Sequence, residues 1–481
     1  MRLNDLARRA ATTTLVATAL AAGALGSAGA ATIVIRNVNA AGVGFNDPTP
    51  TAPVGGNAGT TLGQQRLIAF THAANIWGAN LTSAVPIVIN AQFSALTCTA
   101  TSAVLGSAGA TQIFRDFPGA TRPGTWHSYA LANKLYGEEI FDDAAPPQIN
   151  ANFNVNLGAA NCLAGSPFYL GLDNNAGTAV NFVTTLLHEM GHGLGFQTFT
   201  SGITGAYIGG YPSIWDHFLT DDTLGRTWVQ MTAAERAASA IRPRTLSWAG
   251  ANVTSAAPSV LVPGTPTLQV SGPAAGPVTG NLLIGLAAFG APLTPSIVSG
   301  QIMPVVDQAD GTGLACSALS ALNALAVRNN IALVDRGVCG FVVKAKAVQD
   351  AGAIGMIVVD NVAGSPPPDL GGADPAIVIP AVRISLGDGV ALKAQLKRRS
   401  RTASGVIGSL YVAGSQLAGA NPFGRVYLFT PNPFQSGSSV SHWDTSATRN
   451  LLMEPSINSD LTQSVKPPED LTLPLLKDTG W

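Results

Sequence analysis

The amino-acid sequence predicts an α/β (α+β) fold that is split by an inserted, β-rich α/β unit. Helical and strand patterns alternate along the first 196 residues, which indicates helices packed on a sheet. Near Ala251 the helical periodicity stops, and a strand–helix–strand pattern follows within residues 330–359. The 481 residues include 53 Gly and 31 Pro, and 46% are hydrophobic. This length and composition fit two or three domains with large cores and many turns.

The elements before residue 251 follow from the spacing of apolar residues. Apolar positions at helical spacing predict a helix over residues 61–79, and alternation with asparagine predicts a strand over 149–157. Further strands are predicted at residues 32–36, 85–89 and 168–172, and short helices at 214–219 and 231–236. In the last of these, Thr232 and Glu235 have the spacing of a capping box.

The predicted insertion begins where the composition changes. Residues 251–300 are rich in Val, Pro, Gly, Ser and Thr without a helical period, which predicts β-structure. A strand at 330–336, a helix at 344–353 and strands at 354–359 and 377–385 follow. Residues 255–412 resemble the protease-associated (PA) domain. This resemblance implies a domain that binds protein or peptide and biases access to a cleft, and we predict that it occupies residues 251–420.

The N-terminal 30 residues have the pattern of a secretory signal. Arg2, Arg8 and Arg9 precede an apolar stretch, and Ala28-Gly29-Ala30 is a small-x-small cleavage site. No later run of 18 strongly apolar residues follows, so we predict a secreted, extracellular protein with no membrane span. Charged residues are only 11% and the net charge is −1, which argues against nucleic acid as a partner.

Four cysteines in an exported chain most simply form two disulfides. Of the three possible connectivities we prefer the local one, Cys98–Cys162 and Cys316–Cys339. The resemblance to the PA domain agrees with the second pair, because in that family a cysteine at the position of Cys339 commonly pairs with one upstream.

The strongest functional motif lies in residues 178–196, which read as one amphipathic helix as far as His192. His188 and His192 are one turn apart and project from the same face, so both can bind one Zn²⁺. Glu189 lies beside the first histidine, where it can act on a metal-bound water. Glycines at 191, 193 and 195 predict that the helix ends near His192 or Gly193.

A catalytic zinc site needs a third protein ligand and one open position for water. In the compact metzincin pattern this ligand follows Gly195 by three residues, but here that residue is Thr198, a weak zinc ligand. The third ligand must therefore come from elsewhere. Asp216 and His217, in the helical stretch at 214–219, are two possibilities, and a third lies near the end of the chain.

That third possibility is the histidine in Ser441-His442-Trp443-Asp444, which is followed by Asn450-Leu-Leu-Met453-Glu-Pro455. Together with His-Glu-Met-Gly-His-Gly-Leu-Gly-Phe, these motifs resemble the leishmanolysin-like metzincins, in which the third histidine also follows a long insertion. The resemblance implies that His442 is the third zinc ligand and that Met453 is the methionine of the Met-turn. The chain departs from the family in the size and identity of its insertion. Because the Met-turn segment lacks a tyrosine, we expect no tyrosine ligand.

These observations predict a secreted zinc-dependent endopeptidase that acts on proteins or peptides. Residues 31–250 would form the first part of a metzincin-like catalytic domain and residues 421–481 the second part, with the third ligand and the Met-turn. Glu189 would take the proton of a zinc-bound water and pass it to the leaving amine.

Two other functions remain open at this stage. One is a non-catalytic secreted binding protein with a structural zinc site, which a fourth ligand from Asp216 or His217 would favour. The other is a zinc hydrolase that acts on non-peptide substrates, such as an amidase.

Overall fold

The computed structural model describes residues 29–141 and 145–481. The predicted signal peptide, residues 1–30, lies almost entirely outside this range. Within it, no helix combines the length and the apolar character that crossing a bilayer requires.

The first half of the chain forms a four-stranded sheet covered by two helices. The strand order is β1 (Ile33–Asn37), β2 (Ile87–Ser94), β8 (Ile149–Asn154) and β5 (Gly106–Ala110). The first three strands are parallel and β5 is an antiparallel edge strand. Alternate residues of β2 are buried beneath helices α1 (Leu62–Asn80) and α3 (Phe182–Leu194), which pack against each other. The predicted strands at 32–36, 85–89 and 149–157 and the predicted helix at 61–79 are confirmed, with ends that differ by one residue for β1 and α1, by three for β8 and by up to five for β2.

The remaining elements of this half are short. They are β3 (Cys98–Thr99), β4 (Ser102–Ala103), β6 (Ile113–Phe114), β7 (His127–Ser128), α2 (Tyr129–Tyr136), β9 (Phe168–Tyr169), β10 (Val180–Asn181), β11 (Leu219–Asp221), β12 (Arg226–Thr227), α4 (Ala233–Ser239), β13 (Leu246–Trp248) and α5 (Ala251–Val260). The capping box of Thr232 and Glu235 is present at the start of α4.

Helix α3 differs from the sequence prediction in two respects. It begins at Phe182 rather than near residue 178, because Asn181 caps it and β10 pairs with β9 in front of it. All of its residues are buried, so it is not amphipathic. The sheet lies on one side of the helix and the C-terminal segment covers the other, and neither contact is visible in local periodicity.

Two further predictions are wrong. Residues 214–219 form one 3-10 turn, Trp215–His217, and then enter β11, which pairs with β13. Residues 251–260, expected to lack helix, form α5. Its apolar residues Val253, Ala257 and Val260 are buried in the same core as the side chains of α3, so burial along one face stabilises a helix that local composition does not indicate.

The inserted unit is an eight-stranded sheet with helices on both faces. Its strands are β14 (Pro263–Ser271), β15 (Gly280–Leu282), β16 (Gly285–Leu286), β17 (Val298–Pro304), β18 (Ile331–Asp335), β19 (Gly355–Val359), β20 (Ala381–Ile384) and β21 (Ile407–Leu417). Its helices are α6 (Ala321–Val327), α7 (Phe341–Asp350) and α8 (Leu386–Gln395). Strands β17, β18, β19 and β20 are parallel neighbours, and β18, α7 and β19 form the predicted βαβ unit. Alternate residues of β18 belong to two different cores, which explains the continuous apolar run in its sequence.

The two ends of the insertion lie side by side. Pro263 at the start of β14 pairs with Leu417 at the end of β21, and the Ala418 N–H donates to the Val262 carbonyl at 3.0 Å. The chain then returns to the first core, where residues 420–476 contribute buried side chains and α9 (Thr472–Thr479) packs on α5. An insertion with adjacent ends leaves the surrounding fold able to close.

Both preferred disulfides are present. Cys98 pairs with Cys162 in the first half of the chain, and Cys316 pairs with Cys339 in the inserted unit. The described residues include no free cysteine.

Candidate metal centre

Three histidines from two distant parts of the chain converge in one cleft. His188 and His192 lie one turn apart on α3, and His442 lies in the returning segment, where its carbonyl accepts the Phe429 N–H at 2.9 Å. Their Nε2 atoms are 3.2 Å apart for the pairs His188–His192 and His192–His442, and 3.3 Å apart for His188–His442. Within the described ranges, no other group of three His, Cys, Asp or Glu side chains is arranged to hold a metal ion.

Backbone carbonyls determine which ring nitrogen of each histidine is free. The Nδ1 of His188 lies 2.7 Å from the Leu452 oxygen. The Nδ1 atoms of His192 and His442 lie 2.8 Å from the oxygens of Phe196 and Ser438. A carbonyl oxygen only accepts hydrogen bonds, so each Nδ1 carries the proton and each Nε2 presents a lone pair.

The three lone pairs then face one another and cannot form hydrogen bonds among themselves. A cation can satisfy three such lone pairs at once, and imidazole nitrogens are preferred zinc ligands. Tetrahedral Zn–N bonds of about 2.0–2.1 Å place neighbouring nitrogens about 3.3 Å apart. The separations of 3.2–3.3 Å therefore fit a zinc ion held by His188, His192 and His442.

Burial keeps these imidazoles neutral. It lowers the pKa of His188 to about 4 and the pKa of His192 to about 3. It also lowers the pKa of His442 well below the usual value, and the neighbouring imidazoles contribute in the same direction. All three rings are thus in the metal-binding form at neutral pH.

Glu189 lines the same cleft from the next position on α3. Burial raises the pKa of its carboxyl to about 8, although a hydrogen bond from the Ala108 backbone N–H opposes the shift. A carboxyl with this pKa can both take up and release a proton near neutral pH.

The end of α3 shapes the site. Gly195 has φ +122°, a conformation that disfavours a side chain, and it turns the chain so that the Phe196 carbonyl reaches Nδ1 of His192. Met453 is fully buried beneath the helix, and a Cβ on Gly191 would lie 2.8 Å from its Sδ. Met453 and α3 thus pack so closely that the observed arrangement requires glycine at position 191.

The other two ligand candidates lie away from the cluster. Asp216 is fully buried and accepts hydrogen bonds from the hydroxyls of Thr198 and Thr200, at 2.7 and 2.5 Å. The Nε2 of His217 lies 3.1 Å from the Thr125 hydroxyl. Neither residue belongs to the histidine group, so their predicted alternative roles as third ligand are not supported.

The cleft encloses a cavity of about 1090 Å³, one wall of which is the edge strand β5. The Asn154 N–H donates to the Leu105 carbonyl, so the odd-numbered residues of this segment bond to β8. The even-numbered residues, Gly106 and Ala108 among them, direct their backbone groups away from β8. This agrees with the effect of the Ala108 backbone N–H, which lowers the pKa of Glu189.

Sequence reasoning missed several residues of this site. The orienting carbonyls of Leu452, Phe196 and Ser438 have no sequence signal, because every residue carries a carbonyl. Strand β5, Gly-Ser-Ala-Gly-Ala, lacks the bulky β-branched residues that normally indicate a strand.

Comparison with known proteins identifies the inserted unit. Residues 298–392 match the family model of the PA domain, and no curated protein matches the chain. The aminopeptidase from Aneurinibacillus sp. strain AM-1 is similar over 32% of this chain and 32% of its own, at 23% identity and a TM-score of 0.24. The zinc aminopeptidase BSAP from Bacillus subtilis is similar over 32% and 31%, at 20% identity and a TM-score of 0.22.

The psychrophilic subtilisin-like protease Apa1 from the Antarctic psychrotroph Pseudoalteromonas sp. AS-11 is similar over 32% of this chain and 34% of its own, at 20% identity and a TM-score of 0.23. The chain thus spans only about a third of the length of these proteins.

The molecule is therefore a mixed α/β protein with an inserted PA domain. The resemblance to leishmanolysin-like metzincins, the domain limits and the roles of the site residues stay predictions.

Proposed function

We propose that the protein is a secreted zinc-dependent endopeptidase of the leishmanolysin-like metzincin type, in which His188, His192 and His442 bind the metal and Glu189 moves the proton. The convergence of the three Nε2 atoms at 3.2–3.3 Å, with Glu189 beside them, carries this proposal. We further propose that the catalytic domain comprises residues 31–261 and 420–481, because α5 and Ala420 pack in its core.

A zinc ion held by the three imidazoles would polarise a carbonyl group and lower the pKa of a water molecule towards 7. Burial raises the pKa of the Glu189 carboxyl to about 8, which favours the protonated form at neutral pH. The positive charge of the ion would favour the ionised form instead. The carboxylate of Glu189 accepts a proton from the attacking water and donates it to the nitrogen of the leaving amine.

The outer edge of β5, which pairs with no strand in the described part of the chain, favours peptides over other substrates. Gly106 and Ala108 lie on the cavity wall next to Glu189, and an extended peptide can pair with such an edge through backbone hydrogen bonds. Pairing of this kind does not require a free chain terminus, which supports an endopeptidase over an amidase for small substrates. The PA domain would bias which protein substrates reach the cleft.

A structural zinc site in a non-catalytic binding protein is the less favoured reading. It would need a fourth ligand, and Asp216 and His217 are engaged by threonine hydroxyls elsewhere. A structural site also has no use for a buried carboxyl beside the ligands, whereas Glu189 lines the cavity.

The proposal is tested with zinc content and hydrolysis of unstructured protein substrates. The wild type should bind about one zinc ion per chain, His442→Ala should lose it, and His217→Ala should retain it as the matched control. Glu189→Gln should keep the zinc but lower kcat/KM by about 10²–10⁴-fold, with the exposed Glu138→Gln as its control. A wild type that binds zinc without cleaving any protein or peptide would favour the binding-protein reading instead.

A further inference from the structure

A loop of the returning segment, residues 430–439, forms part of the cleft, and we call it the cleft loop. It is closed at its base by hydrogen bonds from the Val440 N–H to the Phe429 carbonyl (2.8 Å) and from the Phe429 N–H to the His442 carbonyl (2.9 Å). Five of its ten residues are exposed.

A turn from Gln435 to Ser439 is closed by hydrogen bonds from the Ser438 and Ser439 N–H groups to the Gln435 carbonyl (3.1 and 2.9 Å) and from the Gln435 N–H to the Ser439 hydroxyl (2.9 Å). The position of this turn, which contains Ser438, therefore depends on the chain on either side of it, including the exposed Asn432 and Pro433.

Two features of the cleft loop bear on the metal centre. The Ser438 carbonyl orients His442 by accepting the hydrogen bond from its Nδ1, at 2.8 Å. The Phe434 ring lines the cavity and packs so closely on Gly202 that a Cβ there would lie 2.3 Å from the ring. Movement of the cleft loop would thus change both the orientation of an imidazole and the shape of the cavity wall.

The inserted domain holds the cleft loop by its backbone. Residues 361–368, which follow β19 and which we call the PA loop, reach the cleft loop at Ser365. The Ser365 N–H donates to the Asn432 carbonyl, and the Asn432 N–H donates to the Ser365 carbonyl, both at 2.7 Å. The two residues form an isolated antiparallel bridge, the same pairing as in a sheet.

The PA loop is itself firmly anchored in its own domain. At its start, Asp360 is buried and accepts hydrogen bonds from the backbone N–H groups of Asn361 (2.7 Å) and Val362 (3.1 Å). The carboxylate also pairs with Arg336 and Arg383. Three consecutive prolines after Ser365 restrict the loop further. A loop that is anchored by a buried carboxylate and prolines in the inserted domain therefore pairs with the cleft loop through two backbone hydrogen bonds.

We infer that the PA loop is a positioning element of the metal centre: the Ser365–Asn432 bridge keeps the cleft loop in the conformation in which Ser438 orients His442 and Phe434 lines the cavity. Ser365 touches neither the imidazoles nor the cavity and acts through Asn432. The catalytic consequence of this coupling rests on the proposed function, whereas the coupling itself does not. It gives the PA domain a second role besides biasing substrate access, because anything that displaces the PA loop also changes the cleft.

The test compares two substitutions at one position. Ser365→Pro removes the N–H that donates to Asn432, whereas Ser365→Ala keeps both backbone hydrogen bonds. Hydrogen exchange of the amides of residues 434–442, measured on the full-length protein without metal or substrate, should be roughly three- to tenfold faster in Ser365→Pro and unchanged in Ser365→Ala. If Ser365→Pro exchanges within about twofold of Ser365→Ala, the inference is overturned, whatever the protein catalyses.

A second variant covers the possibility that the proline misfolds the PA loop. The Cα atoms of a hydrogen-bonded antiparallel pair lie about 5.5 Å apart, within the range of a disulfide. Oxidised Ser365→Cys/Asn432→Cys should slow exchange across residues 434–442 relative to the wild type under the same conditions, and it should keep KM for a peptide substrate. Unchanged exchange in this cross-linked variant would also overturn the inference.

The measurements separate this inference from the proposed function. With zinc bound, Ser365→Pro should raise KM and weaken zinc affinity while Ser365→Ala does neither. Faster exchange in Ser365→Pro, in a protein that neither binds zinc nor cleaves peptides, would leave the positioning intact and remove the endopeptidase proposal. Normal zinc binding and cleavage with unchanged exchange would support the endopeptidase proposal and overturn the positioning inference.

Discussion

Each of the three imidazoles in the cleft is oriented by a backbone carbonyl, and the carbonyls are in turn fixed by other groups. The Leu452 carbonyl accepts the proton of His188 Nδ1, and the Leu452 N–H donates to the buried Asp470 carboxylate at 2.7 Å. The other oxygen of Asp470 accepts the Thr472 N–H at 2.6 Å. Asp470 thus holds Leu452, the residue whose carbonyl determines which nitrogen of His188 is free.

Asp470→Asn should therefore weaken zinc binding without removing a ligand. The amide presents an NH₂ group to one of the two backbone donors, so the N–H groups of Leu452 and Thr472 can no longer both be held as they are in the wild type. Groups that orient metal-bound histidines typically change metal affinity by about 10–100-fold, and we expect a loss in this range in a titration against a competing chelator. The exposed Asp350→Asn, in the inserted domain, should leave the affinity unchanged. An equal affinity in both variants would show that Asp470 does not position His188.

Two structural elements bring the chemistry of the molecule into place. Helix α3 carries His188, Glu189 and His192. Gly191 leaves room for Met453 below the helix, and Gly195 turns the chain so that the Phe196 carbonyl reaches His192. In the PA domain, the carboxyl edge of the parallel strands carries the charged residues that anchor the PA loop. Asp360 at the end of β19 lies between Arg336 and Arg383 there.

Asp360→Asn should destabilise the PA domain in a pH-dependent way. Burial alone raises the pKa of Asp360, but hydrogen bonds from Arg336, from the Val362 N–H and from Arg383 outweigh it, so the pKa lies below its usual value. The ion pairs therefore stabilise the folded state fully above the unfolded-chain value of about 3.9, and this stabilisation is lost as the pH falls through the lower folded value.

At pH 7 the substitution leaves Arg383 buried without its partner, and we expect a loss of about 3 kcal/mol or more in the free energy of unfolding. Urea unfolding at successively lower pH should show this difference shrinking once the pH is below about 4. The surface pair of Lys346 and Asp350 supplies a control, because Asp350→Asn should cost less than about 1 kcal/mol throughout. A difference that stays constant from neutral to acid pH would contradict the assignment of the ion pairs.

The molecule as a whole is a continuous core interrupted by a second domain whose ends are adjacent. Residues 31–261 and 420–476 contribute to one core, while the two cores of the insertion draw only on residues 268–410. The pairing of Pro263 with Leu417 explains how His442 can return to His188 and His192 across 250 residues of sequence.

Removal of the insertion should therefore leave the metal centre folded but alter its selectivity. A variant in which a two-residue Asn-Gly turn joins Pro263 to Leu417 should still bind zinc, because such a turn closes an antiparallel pair. Zinc affinity should fall, because the Ser365–Asn432 bridge is lost, and the ratio of the rates on folded proteins and short peptides should change. If both the zinc affinity and this ratio of rates were unchanged, the PA domain would affect neither the metal centre nor the choice of substrate.

Local patterns in the sequence were sufficient for the features that depend on neighbouring residues. The spacing of His188 and His192, the glycines that end α3 and the apolar runs of β18 and β19 all follow from a few consecutive residues, and the structure places them as expected to within a few positions. Long-range packing decided the rest. Asp216, His217 and His442 were all candidates for the third ligand. Which of them lies beside His188 and His192 depends on the path of the chain, which leaves the first core at Val262 and returns to it at Ala418. The same holds for the burial of α3 on all sides, for α5, and for the carbonyls that orient the imidazoles: each results from contacts between segments far apart in sequence, whose energies no local periodicity records.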